Sequence, residues 1–262
     1  MSHSSPIPPV SLAVTACNEE SRLGRCLASA VGLVREIVVV DSGSTDGTVD
    51  VAKTAGARVI FQKWLGHRDQ KQVALDACTQ PWVLILDADE QISPELRESI
   101  LDFFRGGEGA LIQGCRFNRK VKFLGRWITH GDWYPDAKLR LVSREKARMT
   151  GNAAHDSVVV TGVVKHLRGD LLHDSYPTIQ SYLDKIGPFA AEFAERKRAE
   201  GHHWSLAVTM LRPLWRFFRA YFLRLGFLDG FPGFWIAFAT SFSVFVRYSW
   251  NYPEEIKERE KT

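Results

Sequence analysis

In the stretch Ile37–Thr48, IVVVDSGSTDGT, four branched apolar residues run straight into an acid and then into small, polar or acidic residues. A strand with one wet face alternates apolar and polar side chains. Val38, Val39 and Val40 do not alternate, so this strand reads as buried on both faces, the pattern of a parallel sheet covered by helices. Ser42-Gly43-Ser44 cannot extend it, and Thr45 or Asp46 can cap a helix beginning near Thr48. Asp41 then stands at the carboxyl end of a core strand, where open α/β sheets take their ligands. A plain βα turn uses the same residue types, so Asp41 gains meaning only beside a second acidic strand end.

The segment WVLILDADEQISPE (82–95) supplies one. Trp82–Leu86 is another strand without alternation, and Asp87, Ala88 and Asp89 follow at its carboxyl end. Two carboxylates one residue apart, with Glu90 next, make a hard oxygen site for Mg²⁺ or Mn²⁺, which keep some waters and take other ligands from a substrate diphosphate. Acidic strand ends converging on one crevice are what a nucleotide–metal site requires. The intervening chain fits the same plan. Strands are expected at Val10–Thr15 and Arg58–Phe61, and helices at Glu20–Val31, Thr48–Ala55 and Asp69–Ala77. A further helix opens with Ser93 as N-cap and Pro94 at its first position. Strands alternating with short helices mean βαβ units. A dinucleotide-dependent dehydrogenase is disfavoured, because TACNEE follows the first strand in place of a GxGxxG turn.

After Gly106-Gly107 the pattern changes to short strand-like runs (Ala110–Phe117, Leu139–Val142, Ser157–Val160), then a polar helix over Thr178–Arg198. Two aromatic helices follow between Trp204 and Trp250, broken at Gly226 and at Gly230 through Gly233. The expected organisation is residues 1–105 as a nucleotide-binding half, 106–200 as a second, mixed-β half, and 201–262 as a basic, aromatic, helical tail. The length of 262 residues suits one α/β domain with such an appendage. The net charge of +4 is uneven: residues 196–250 carry eight Lys or Arg against Glu200 and Asp229, and 15 of the 30 aromatic residues fall within Trp204–Trp250. A basic aromatic tail points to an anionic surface as partner. On a helical wheel Arg212, Arg216 and Arg219 share one face, while Leu211, Leu214, Trp215, Phe218 and Phe222 share another, the pattern of an interfacial helix. The longest uncharged run of the tail, Gly230–Val246, has 17 residues, short of the ~20 that a span needs. The alternative is that these aromatics pack as core or as a dimer interface. No signal peptide is expected from MSHSSPIPPV. Cys17, Cys26, Cys78 and Cys115 have no CxxC spacing and read as buried thiols of a reducing compartment.

The segments SLAVTACNEESRLGRCL (11–27), IVVVDSGSTDGT and VLILDADE, in this order, resemble the family-two glycosyltransferases of the GT-A fold. HGDWYPDAKLRL (130–141), HDSV (155–158) and GFLDGFPGF (226–234) resemble, more narrowly, the bacterial branch that adds sugars to the lipopolysaccharide core. The resemblance implies a GT-A, Rossmann-like, mostly parallel α/β sheet with a mixed-β acceptor region and a membrane-associating helical tail. It implies that Thr15, Asn18 and Glu19 line the nucleobase pocket and that Asp41 bonds the uracil or ribose. Lys71 or Arg68 would lie near the nucleotide. Asp87 would contact the ribose or a metal-bound water, and Asp89 would hold the Mg²⁺ or Mn²⁺ on the diphosphate. Asp156 is the expected base, where the family has Glu, with Asp132 and Asp136 as rivals and His155 as an orienting partner. Trp133 and Tyr134 form a sugar platform or close the core, and Arg140 is structural or reaches an acceptor phosphate. The implied function is inverting transfer of one hexose, glucose from a UDP-sugar donor, to a lipid-anchored saccharide of the lipopolysaccharide inner core. The implied place is the inner leaflet of the cytoplasmic membrane, with no nucleic acid as partner. The QxxRW motif of processive synthases is absent. Alternatives are a polyprenyl-phosphate or other glycolipid acceptor, or a non-catalytic nucleotide-sugar-binding scaffold.

Overall fold

The computed structural model describes residues 6–151, 156–176 and 178–253. Its elements begin β1 (Val10–Ala16), α1 (Glu20–Ala30), β2 (Glu36–Asp41), α2 (Thr48–Thr54), β3 (Arg58–Phe61), α3 (His67–Ala77) and β4 (Trp82–Asp87). Then come β5 (Glu90–Ile92), α4 (Pro94–Arg105), β6 (Ile112–Phe123), β7 (Arg126–Trp127), β8 (Ala137–Ser143), β9 (Ala147–Gly151) and β10 (Asp156–Val160). The chain closes with β11 (Val163–Tyr176), α5 (Ile179–Ala199), α6 (Leu206–Phe218) and α7 (Gly230–Ser249). Two compact units form: residues up to Arg119 with Asp136–His173, and Lys120–Pro135 with the chain from Asp174 onward. Residues 120–135 and the long helix α5 thus fall with the tail.

In the first unit the sheet order is β3-β2-β1-β4-β8-β6-β11-β5. The four strands from β3 to β4 are parallel. β8 then runs antiparallel to β4 and to β6, as β5 does to β11. The fold is α/β with a mixed sheet, parallel in the N-terminal half. The lack of alternation in β2 has its reason here. Val39 packs into the cluster with Leu23, Leu27 and Val14, whereas Val38 and Val40 pack on the other face with Ala74, Leu75 and Ile85. Helix α4 begins as its sequence demands, with the Ser93 hydroxyl accepting from the Leu96 N–H at 3.2 Å. That turn is pressed against Gly169, where φ is +92° and a Cβ would lie 2.2 Å from the Leu96 nitrogen, so no other residue fits.

The second unit is built on the start of one motif singled out in the sequence, HGDWYP (130–135), with Thr129 before it, and on another, GFLDGFPGF. Asp229, fully buried, accepts from the backbone N–H groups of Thr129 (3.0 Å) and His130 (2.8 Å) and from the Thr129 hydroxyl. A Cβ at Gly226 would meet the Ala220 carbonyl oxygen at 2.6 Å, and one at Gly233 would meet the Gly226 oxygen at 1.9 Å. These glycines permit backbone to lie on backbone. The turn between α6 and α7 therefore falls at Gly226, as expected, while Gly230 opens α7 instead of breaking it. Phe123, Ile128 and Ile236 form the core, with Trp133 and Trp235 packed on it. Among the described residues no single helix is long and apolar enough to cross a membrane; the pair Leu206–Leu223 and Gly226–Ser249, bent by 70°, passes by length and composition together.

Candidate active site

Parallel pairing sets the carboxyl ends of the core strands side by side. Thr15 lies opposite both Val40 and Asp87, and Ala16 lies opposite Asp41. Asp41 is buried and its Oδ2 accepts from the N–H groups of Gly43 at 2.8 Å and Ser44 at 3.0 Å, so this carboxylate shapes its own turn. Asn18 sits in the left-handed region at φ 56° and its Oδ1 accepts from the Thr45 N–H at 2.8 Å, tying the β1–α1 turn to the β2–α2 turn. Glu19 is paired with Arg22 at 2.7 Å. Partial burial raises its pKa against the pull of Arg22. Thr15, Asn18, Glu19 and Asp41 thus gather along one stretch of sheet edge. Arg68 does not join them through its own contacts, being spent on the neighbouring Asp69 at 2.7 Å.

The chemistry-bearing cluster centres on Asp87. Its Oδ1 lies 2.6 Å from Lys71 Nζ and its Oδ2 lies 2.9 Å from Arg140 Nη2. Burial works against the charged form, but Arg140 and Lys71 outweigh it and hold the Asp87 carboxyl well below the usual range. Lys71, itself buried, is shared: its Nζ also lies 2.8 Å from Asp156 Oδ2. Arg140 is shared in the same way with Glu90, 2.9 Å away. Glu90 is fully buried and its Oε2 accepts from the Asp87 N–H at 3.0 Å. The third acid after β4 is therefore no oxygen ligand of an open cation site; it anchors Arg140. Burial depresses the Arg140 pKa, yet Glu90 and Asp87 raise it beyond the ordinary arginine value. Lys71, Asp87, Arg140 and Asp156 line one cavity of about 570 Å³, with Arg116 and Lys138 on its wall.

Asp89 lies apart from that network. Its Oδ2 is 3.3 Å from His173 Nε2 and 3.8 Å from Arg22. Burial opposes ionisation of Asp89, and His173 brings its pKa down. His173, on β11, escaped the sequence reading: one histidine inside a strand carries no spacing signal. Its Nδ1 is enclosed without a hydrogen-bond partner. Among the described residues no three His, Cys, Asp or Glu side chains form a ready cation cage. The Asp89 carboxylate suits a hard divalent ion whose other ligands are water and diphosphate, the habit of Mg²⁺ and Mn²⁺, and the imidazole beside it is a ligand that Mn²⁺ accepts more readily than Mg²⁺.

The rival carboxylates have other partners. Asp136 is held by Arg119 at 2.8 Å and Lys138 at 3.0 Å. Asp132 belongs to the second unit, where its side chain is 1% exposed and is paired with Arg216, with Arg219 at 2.8 Å and with Arg224 at 3.6 Å. Trp133 packs edge-on against Phe123, with ring centres 5.4 Å apart, as part of the second unit's core. His155 lies outside the described residues.

The glycosyl transferase family 2 profile matches residues 11–167. The chain belongs to glycosyl transferase family 2. It is similar to the lipopolysaccharide core biosynthesis glycosyltransferase LpsC of Rhizobium meliloti, at 31% identity over 92% of this chain and 93% of that one. It is also similar to an uncharacterized glycosyltransferase of Rickettsia typhi, at 30% identity over 91% and 85% of the two chains. Among solved structures, glucosyl-3-phosphoglycerate synthase from Mycobacterium tuberculosis superposes on 68% of this chain and 74% of its own, with 21% identity and a TM-score of 0.45. A family 2 glycosyltransferase of the GT-A type needs a donor site on the carboxyl edge of its parallel strands, and this chain gathers its acids there.

Proposed function

We propose that this glycosyltransferase moves one hexose, glucose from a UDP-sugar, to a lipid-anchored lipopolysaccharide inner-core acceptor with inversion at the anomeric carbon. One observation carries the reading of the site: a single buried lysine, Lys71, bridges Asp87 and Asp156 on the wall of one cavity. Direct displacement needs a base for the acceptor hydroxyl on the face opposite the leaving group. Asp156 is that base. It is held by one cation where Asp136 is held by two, and Asp132 is enclosed by arginines. In the resting site Lys71 Nζ holds the Asp156 carboxylate on the cavity wall at 2.8 Å. A diphosphate entering beside Asp87 competes for that ammonium, and the carboxylate is then free to accept from the acceptor hydroxyl. Arg140, fixed by Glu90, keeps Asp87 in place.

Asp89 and His173 are the residues that would hold a Mg²⁺ or Mn²⁺ ion. Bound there, such an ion stabilises the charge gathering on the departing nucleoside diphosphate. The lipopolysaccharide acceptor is supported by the likeness to LpsC over nearly the whole of both chains.

The tail lies on the inner leaflet of the membrane, beside a lipid-anchored acceptor. The support is the way α7 is turned. Four of its six buried residues are small (Gly233, Ala237, Ala239, Ser243, beside Ile236 and Thr240), whereas Phe231 is 65% exposed and Phe238 58%. A helix of a water-soluble core has the reverse arrangement, and small residues between helices with aromatics outside suit lipid contact.

The test is a panel of nucleotide sugars offered to the purified protein, with release of nucleoside diphosphate as readout and NMR of the product anomer. UDP-glucose should give the fastest release, excess chelator should abolish it, and the anomer should be inverted. A preference for another nucleotide, or full activity in chelator, would discard the corresponding part of the proposal.

A further inference from the structure

A second cavity, of about 160 Å³, lies wholly within the second unit, and none of its lining residues belongs to the proposed transfer site. It is bounded by the end of α5, the start of α6 and the end of α7, and its wall includes Lys197, Trp204, Ser205, Arg212, Arg247 and Tyr248. We propose that this cavity binds a phosphate group, as a monoester or diester.

The cations face it with little to neutralise them. Among the described residues no carboxylate lines the cavity. Glu200 stands nearby, 2.6 Å from Lys197, outside the cavity lining. Arg212 is turned onto Tyr248, donating to its hydroxyl while its guanidinium carbon lies 5.1 Å from the ring centre. That contact positions a guanidinium without cancelling its charge. Arg247 has neither acid nor hydrogen-bond acceptor among the described residues, and its Nε is enclosed. It lies close enough to Arg216 that the two charges act on each other, helping, after burial, to lower the Arg216 pKa. Half-burying a guanidinium among other cations is unfavourable unless an anion completes the site. Ser205, the N-cap of α6, adds the positive end of a 13-residue helix. Two arginines offering planar N–H pairs, a lysine and a helix start match the oxygens of a phosphate. Phe193, Trp204 and Tyr248 supply apolar wall, which suits an ester substituent.

The phosphate can come from a lipid headgroup or from a soluble phosphate ester, and the experiment separates them. Full-length protein is titrated calorimetrically with inorganic phosphate at constant ionic strength, then floated with vesicles of phosphatidylcholine alone or with phosphatidic acid. The comparison is with Arg212→Gln/Arg247→Gln and with Arg212→Lys/Arg247→Lys. Because the catalytic cavity also holds cations, the readout is the difference from wild type. The glutamine pair should lose at least tenfold in phosphate affinity, and the lysine pair should keep most of it. A parallel loss of binding to phosphatidic acid vesicles assigns the site to a headgroup; phosphate loss with vesicle binding unchanged assigns it to a soluble ester. If the glutamine pair binds both probes as wild type does, the site does not exist. Should that pair lose its cooperative melt, Lys197→Gln takes its place, with a threefold loss expected and no change overturning the proposal.

Discussion

Lys71 and Asp156 come from a helix before the DAD segment and a strand long after it, yet their charged atoms lie 2.8 Å apart, with Asp87 at 2.6 Å on the other side of the ammonium. If Asp156 takes the acceptor proton, Asp156→Asn keeps size and loses the proton acceptor. Turnover should fall by about 10²–10⁴, while the Kd for the nucleotide donor, measured by calorimetry, stays within about threefold. Asp136→Asn removes a carboxylate already shared between Arg119 and Lys138, and should cost far less. A near-normal kcat for Asp156→Asn together with a collapse for Asp136→Asn would transfer the role.

The Arg140–Glu90 pair governs stability more than rate. Glu90 is fully buried, and Arg140 is its close cation at 2.9 Å, with Arg119 at 3.9 Å. Arg140→Met strands a buried carboxylate, so urea unfolding should record a loss of about 3–5 kcal/mol. Arg140→Met/Glu90→Gln removes the stranded charge along with its partner and should recover a good part of that loss. If the single and double variants unfold at the same urea concentration, the pair is not coupled in this way.

Glu36 gives the pH dependence of the first unit. Its side chain is 15% exposed and its pKa is about 2, because hydrogen bonds from Ser11 and Thr79, together with Arg58, overcome the effect of burial. A carboxylate with a depressed folded pKa contributes stability above its unfolded value, about 4.3, and loses it as pH falls toward the folded value. Thermal melts of wild type and Glu36→Gln should therefore differ most above about pH 5, by roughly 2–3 kcal/mol, and converge near pH 2. A gap that is constant across this range would mean that packing, not the charge, is lost.

The fold was legible because its core strands are written without alternation, and Ser93-Pro94 announces α4. The strand ends were legible for the same reason: Asp41, Asp87 and Asp89 follow from where apolar runs stop. What could not be read is who pairs with whom. Glu90 looks like one more oxygen ligand in the sequence, and only the fold brings Arg140 to it. A helical wheel places Arg216 and Arg219 on one open face, but Asp132, distant in sequence, turns both inward. HGDWYPD and GFLDGFPGF read as acceptor chemistry and a helix break, yet in space His130, with Thr129 before it, and Asp229 make one hydrogen-bonded junction. Cys17 is exposed and does not join the three buried thiols, because it falls in the turn after β1 where the core run has ended. Burial pushes the Cys78 and Cys115 thiols up to about 12.

The tail offers the last prediction. Leu211, Leu214, Trp215, Phe218 and Phe222 are 45–65% exposed together on α6 and the turn that follows it. Arg224, 45% exposed and only 3.6 Å from Asp132 through one nitrogen, keeps donors for anionic headgroups. Removing the tail would uncover Phe123 and Ile128, which pack with Ile236 of α7, so point variants of the full chain are the fair comparison. Wild-type protein should float with vesicles containing anionic lipid, and binding should weaken as salt shortens the reach of the charges to about 10 Å at 0.1 M. Trp215→Glu/Phe222→Glu places two carboxylates in the apolar face and should leave the protein with the soluble fraction at every salt concentration, with its melting temperature little changed. The competing account is that this face joins two copies of the chain. It makes the opposite forecast: wild type would stay soluble beside vesicles, sediment as a dimer, and become a monomer in the glutamate variant. That outcome would end the membrane reading of the tail.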